Sequence, residues 1–213
     1  MTERIIVWAD IKCPWCWISH RRLGAALAAS ARTITAEYRS YLLEPGGPLH
    51  TGLTVRQAAL TVWGMSNTEW AQKRERIECA AQRQKLPIQI DTALVIDSQP
   101  AHRLLKLAVE HGADAYTVWD LAYRAHFADN ANLEDPADLH HLGQRLGLAA
   151  DAVQRMLEDN EYASAVVTDH RAARALGIRS VPAVAHGTDI LDGAGVLGKI
   201  GIQAGTGGPG VAA

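Results

Sequence analysis

The chain has 213 residues, of which 48% are hydrophobic and 21% charged, with a formal net charge of −2. That length allows one substantial domain or two modest ones around a proper core. The near-neutral balance lacks the basic stripe of a nucleic-acid-binding surface, and no run approaches the roughly 20 apolar residues of a membrane span.

The N-terminus, MTERIIVWAD, has too short an apolar run for a signal peptide, and Glu3 stands where positive charge belongs. This points to the cytoplasm, where lasting disulfides are rare. Arg4 to Ala9 is β-branched and aromatic and reads as a buried strand. PWCWISHRRLGAALAAS reads as a helix, with Ile18, Leu23 and Leu27 spaced to face a core. Thr33 to Leu43 alternates apolar and polar residues as a second strand, and EPGGP breaks it. The opening is therefore a βαβ unit.

From Thr54 to about Gly177 the pattern is helical. Helices are expected over Thr54–Leu86, Ala113–Ala128, Asp138–Leu146 and Ala150–Glu158. Another runs from a capping Ser98 to Gly112, with Ala101, Leu104, Leu105 and Ala108 on one face. The last runs from a capping Asn160 to Gly177. Two short strands follow, VPAVAH and TDILDG, and the glycine-rich tail has no core face. The expected class is α/β, with residues 1–48 and 176–213 forming one discontinuous sheet-bearing domain. Residues 49–175 form an inserted all-helical domain.

The chain has three cysteines, and two of them lie in Cys13-Pro14-Trp15-Cys16 where the first strand gives way to the first helix. Pro14 suits the first helical position, which makes Cys13 the N-cap. The positive end of the helix dipole favours a thiolate there, and Lys12 adds a nearby charge. Cys16, inside the helix, is expected to be the more buried and to keep its proton. An exposed attacker with a protected resolver three residues on is the arrangement thiol–disulfide exchange needs. A c-type haem would need His where Trp17 stands. A zinc site would need two more ligands, for which His20 and Cys79 are the candidates. Inert core thiols belong on an apolar helix face, not at a cap, so exchange is the favoured chemistry. Trp15 is the intervening residue expected at the surface.

Cys79, mid-helix beside Ala80 and Ala81, reads as a packed core thiol. His20 lies one turn after Cys16, where it could tune the pair, although a solvent-facing position is expected. His102, His126, His140 and His141 show no ligand spacing and read as solvated or satisfied. GAGVLG (193–198) matches GxGxxG, but too few residues follow Gly198 for a dinucleotide site.

Taken in order, the CPWC turn, RSYLLEP, AHRLLKLAVEHG, AYRAHFADNANLEDPADL and DNEYASAVVTDHRAARALGIRSVP resemble the DsbA-type branch of the thioredoxin superfamily. More narrowly, they are similar to its cytoplasmic FrnE-like oxidoreductases. The resemblance implies a thioredoxin fold interrupted by a helical domain, and thiol–disulfide oxidoreductase activity without a bound cofactor or metal. Cys13 would be the nucleophile, Cys16 the resolver, and Pro14 and Trp15 the tuning residues. It also implies a cis Val181–Pro182 bond opposite Cys13, with the Val181 backbone binding an extended peptide or thiol substrate. The expected partners are thiol- or disulfide-bearing proteins or small molecules, among them low-molecular-weight thiols, with homodimerisation left open. Glutathione-dependent kappa-class transferases and 2-hydroxychromene-2-carboxylate isomerases share the helical insertion and are the alternative; a zinc-stabilised binding module is the third reading. The closing helix that the resemblance implies after GAG has no clear pattern in the tail.

Overall fold

The structure is a computed structural model that describes residues 3–192; GAGVLG and any closing helix lie outside them. The strands are β1 (Glu3–Ala9), β2 (Ile34–Ser40), β3 (Ala183–His186) and β4 (Asp189–Asp192). Helix α1 (Pro14–Ala29) joins β1 to β2. Between β2 and β3 come α2 (Val55–Thr61), α3 (Asn67–Gln82), α4 (Gln99–Glu110) and α5 (Ala115–Phe127), followed by α6 (Pro136–Arg145), α7 (Ala150–Glu158) and α8 (Ala163–Ala175). The four strands form one sheet in the order β2-β1-β3-β4. β1 runs parallel to β2 and antiparallel to β3, and β3 pairs antiparallel with β4. This is the thioredoxin-like arrangement. Among the described residues no helix is long and apolar enough to cross a membrane.

β1 reads as a continuous apolar run because both faces of the central strand are covered. Ile5 and Val7 pack with Val184 against Leu23 and Ala26 of α1. Trp8, on the opposite face, packs with Ala183 and Ala185 against Ala173 of α8 and Ile178. A larger core takes Cys16, Trp17 and Ile18 from α1 and joins them to α3, α4, α5, α6 and α7. The sheet thus holds the start of α1 between a strand end and a helical wall.

Several boundaries differ from expectation, each for a local reason. β2 stops at Ser40, not Leu43, because side chains take over its donors: Leu42 N donates to His170 Nδ1 at 3.2 Å and Leu43 N to Asp10 Oδ2 at 2.8 Å. The expected Thr54–Leu86 helix is two helices separated at Gly64 (φ +68°). Each has its own capping box, Thr54/Gln57 and Ser66/Glu69. Ser98 occupies the cap position of α4 but makes no side-chain cap bond; Asp97 Oδ1 accepts from Gln99 N instead, at 2.9 Å. α6 begins two residues early, capped by Asp135 with Pro136 at its first turn. Asn160 does not cap α8, whose cap position is Tyr162 in left-handed geometry; the Asn160 side chain accepts from Arg103 Nη1 at 3.3 Å.

Candidate active site

The site begins where β1 ends. Asp10, fully buried, accepts on its backbone oxygen from Cys13 N at 3.1 Å, closing the turn that delivers Cys13 to the mouth of α1. Cys13 is the N-cap in extended geometry, with Pro14 in the first turn. Its sulfur accepts from Cys16 N at 3.3 Å. As a thiol it also donates to the Val181 carbonyl, with Sγ and O 3.7 Å apart. The Val181–Pro182 bond is cis, and Pro182 borders the pocket behind the pair. The structure thus brings together Cys13, Cys16, Val181 and Pro182, with Cys13 and Val181 168 positions apart in sequence. Neither thiol of the pair is in a disulfide.

The two sulfurs are less unequal in exposure than expected. Cys16 is 2% exposed, but Cys13 is only 5% exposed, because the Val181 segment lies over it. Trp15 is the open face of the motif, at 40%. The Cys16 thiol is pushed well up, first by burial and then by its hydrogen bond to Cys13 and the charge there. Lys12 does not turn toward the pair: its ammonium binds Glu44 Oε2 at 2.5 Å and the Ile96 carbonyl at 3.4 Å.

Two side chains fall on the opposite side from expectation. Cys79 is exposed: α3 buries the stripe of Ile77, Ala80 and Ala81, and residue 79 falls off it. His20 is buried at 3%, not solvent-facing. α5 covers it, with the Tyr116 ring stacked on the imidazole at 3.9 Å between centroids. Its Nδ1 pairs with Tyr38 Oη at 2.8 Å, and its Nε2 lies 3.8 Å from Asp120 Oδ1. Burial lowers the His20 pKa to about 4 despite the opposing Asp120 charge. Among the described residues no group of three His, Cys, Asp or Glu side chains is placed to hold a metal ion.

Buried polar groups that no motif in the sequence marks surround the pair. Asp10 meets His102 Nε2 at 3.3 Å, both fully buried. Its only sequence signal is a carboxylate ending an otherwise apolar strand. Tyr38 and Tyr123 join Cys16 and His20 around the pocket, and spacing gives no hint of that meeting.

Against known proteins, the family model for the DSBA-like thioredoxin domain matches residues 4–200. No curated protein sequence matches the chain. The structure superposes on a probable DsbA oxidoreductase from Streptomyces coelicolor with a TM-score of 0.83 and 29% identity, covering 89% of this chain and 83% of that one. The cytosolic disulfide reductase DsbM from Pseudomonas aeruginosa, solved with glutathione, gives 0.63 and 19% over 92% and 93%. A 2-hydroxychromene-2-carboxylate isomerase gives 0.60 and 16% over 89% and 88%. At those lower identities the likeness is one of fold. With the family model spanning nearly all of the chain, this protein belongs to the DSBA-like thioredoxin domain family.

Proposed function

We propose that this chain is a FrnE-like thiol–disulfide oxidoreductase in which Cys13 exchanges with substrate and Cys16 resolves. The observation that carries the reading is the Cys13 sulfur at the helix mouth, accepting from Cys16 N–H at 3.3 Å. A sulfur anion there is stabilised by the helix N-terminus and a direct N–H donor. The Cys13 thiolate attacks one sulfur of a substrate disulfide, forming a mixed disulfide and expelling the other as a thiolate. Cys16, losing its proton, attacks Cys13 Sγ and releases the second substrate thiol. The substrate gains two electrons and the protein dithiol loses them, so no bound cofactor is required. In the reverse direction the same parts oxidise a dithiol.

Substrate approach is supported at Val181. Among the described residues its N–H has no partner, which leaves a donor for an extended peptide added beside the pair. Trp15, 40% exposed, is the open face of the motif that a substrate would meet. We take residues 49–175 as the insertion that walls the pair and residues 1–48 with 176–213 as the thioredoxin-like unit. Glutathione bound to the Pseudomonas aeruginosa reductase favours a low-molecular-weight thiol as redox partner, and with it a cytoplasmic setting.

The likeness to the isomerase keeps a second reading, glutathione-dependent isomerisation. Insulin reduction by dithiothreitol separates the two. Catalysed turbidity in wild type that is lost in Cys13→Ser supports exchange. Absence of catalysis, together with glutathione-dependent isomerase turnover that survives Cys16→Ala, overturns it.

A further inference from the structure

Lys12 before the motif, Arg21 of α1 and Lys106 of α4 are each paired with a carboxylate, Glu44, Asp120 and Asp169 respectively. Arg174 and Arg179 are not, and both are exposed. Arg174, in the last turn of α8, donates from Nη1 to the Ile178 carbonyl at 3.4 Å and to Tyr41 Oη at 3.5 Å, two neutral oxygens. Among the described residues Arg179 has no hydrogen-bond or ion-pair partner. An exposed arginine without an acid beside it is ordinary by itself. The place of these two is what gives them meaning.

Both belong to the stretch of chain that leads onto Cys13. The Val181 carbonyl lies 3.7 Å from Cys13 Sγ, and Arg179 is two residues before it, at most about 7 Å of chain. Ile178, whose carbonyl Arg174 holds, is buried with Ala173 of α8. Tyr41, the other partner of Arg174, donates its N–H to Ala9 O at 2.9 Å, one residue before the Asp10 carbonyl that receives Cys13 N–H. One guanidinium thus holds the base of the segment over Cys13, and the other projects to solvent from within it.

We infer that Arg174 and Arg179 determine specificity, drawing in small disulfides that carry carboxylates and holding them while Cys13 attacks. This deepens the proposed function and rests on its assignment of Cys13 as the attacking thiolate. That thiolate repels an anionic disulfide, and the chain as a whole carries a charge of −2, so nothing in the general field favours such a substrate. Two guanidiniums without acid partners reverse the sign locally, and a guanidinium fork matches a carboxylate in bidentate fashion. In the step, Cys13 Sγ bonds to one substrate sulfur, the substrate S–S bond breaks, and the other sulfur departs with the electron pair as a thiolate. The arginines keep their protons and act on the carboxylates, not on the bonds that change.

Two chromogenic disulfides test this with reduced protein: dithiobis(nitrobenzoate), which has a carboxylate on each ring, and dithiodipyridine, which has none. The background is Cys79→Ser, since exposed Cys79 would react as well. In Arg174→Gln/Arg179→Gln the first thiolate release from the benzoate is expected to slow by about 10-fold at low ionic strength, with release from the pyridine within about twofold of the background protein. Arg179→Gln alone, which breaks no contact in the fold, should slow the benzoate by about threefold, and Arg179→Lys should restore most of it because the charge remains. Added salt should shrink the background protein's preference for the benzoate and leave the double variant's unmoved. Glutathione disulfide, followed through oxidation of the protein, should lose as much as the benzoate, and cystamine, a cationic disulfide, should gain. A fall shared equally by the two aromatic disulfides, an unchanged benzoate rate, a preference indifferent to salt, or an unchanged glutathione disulfide rate each overturns the inference. A first release that survives Cys13→Ser would instead overturn the assignment of the pair.

Discussion

Asp10 and His102 stand 92 positions apart in sequence and meet at 3.3 Å with both side chains wholly buried beneath the turn that carries Cys13. The same carboxylate accepts from Lys12 N at 3.3 Å and from Leu43 N at 2.8 Å. One side chain therefore ties the end of β1, the exit of β2 and helix α4 together under the Cys13 turn. Burial alone would raise its pKa, but the hydrogen bond and charge of His102, with Lys12 and Leu43 N, outweigh that and hold it below the ordinary value.

Removing this carboxylate leaves His102 Nε2 and two backbone N–H groups without their acceptor. Asp10→Ala is expected to cost about 3–5 kcal/mol, the range for breaking a buried pair, and Asp10→Asn about half as much because one acceptor oxygen remains. Urea unfolding followed by tryptophan fluorescence measures both. A loss below 1 kcal/mol in Asp10→Ala, on the same order-of-magnitude scale, would show that the tie contributes little.

Acid should weaken the fold through its buried histidines. Burial lowers both His20 and His126 from 6.5 to about 4. Between those values the unfolded chain binds protons that the folded one does not. The stability contribution is therefore complete above pH 6.5 and falls as the pH drops toward 4, by about 3 kcal/mol per group at one pKa unit per 1.4 kcal/mol. Asp10 acts in the same sense at lower pH: its lowered pKa gives stability present above the ordinary aspartate value and lost as pH falls through the folded one. Urea midpoints from pH 7.5 to about 4.5 test this, and His126→Phe should flatten the slope. An equal slope in that variant would remove His126 from the account.

Gly24 is where α1 lets the His20 cover close. A Cβ built there would lie 2.5 Å from Cε2 and Cζ of Tyr116, the ring that stacks on His20. Gly24→Ala gains about 1 kcal/mol of helix propensity but must displace that ring, at about 1–3 kcal/mol. The expected net is a modest loss. The more telling readout is the His20 titration by NMR, which should move from about 4 toward 6.5 as the imidazole becomes wetter. A titration that stays in place would mean that Tyr116 is not what keeps His20 dry.

The geometry of the CPWC turn was legible because its logic is local. A strand that ends in a tight turn, a cysteine at the cap, proline at the first helical position and a second cysteine three residues on all lie within one helical turn. The sheet was legible too, since an apolar run such as Ile5 to Ala9 has to be covered on both faces. Exposure was harder to read. Cys79 looked buried among alanines, yet its place on α3 is decided by which stripe the neighbouring helices cover, and that stripe is Ile77, Ala80 and Ala81. His20 looked solvent-facing beside two arginines until α5 closed over it with Tyr116 and Asp120.

The amino-acid order alone therefore settled the backbone at the pair: which sulfur caps the helix and which lies inside it follow from short-range geometry. Only the folded chain decided the surroundings, namely Val181 over Cys13, Asp10 on His102 and Tyr116 on His20. Those meetings join positions scores of residues apart. They depend on how helices and strands pack, and no periodicity along the chain encodes them.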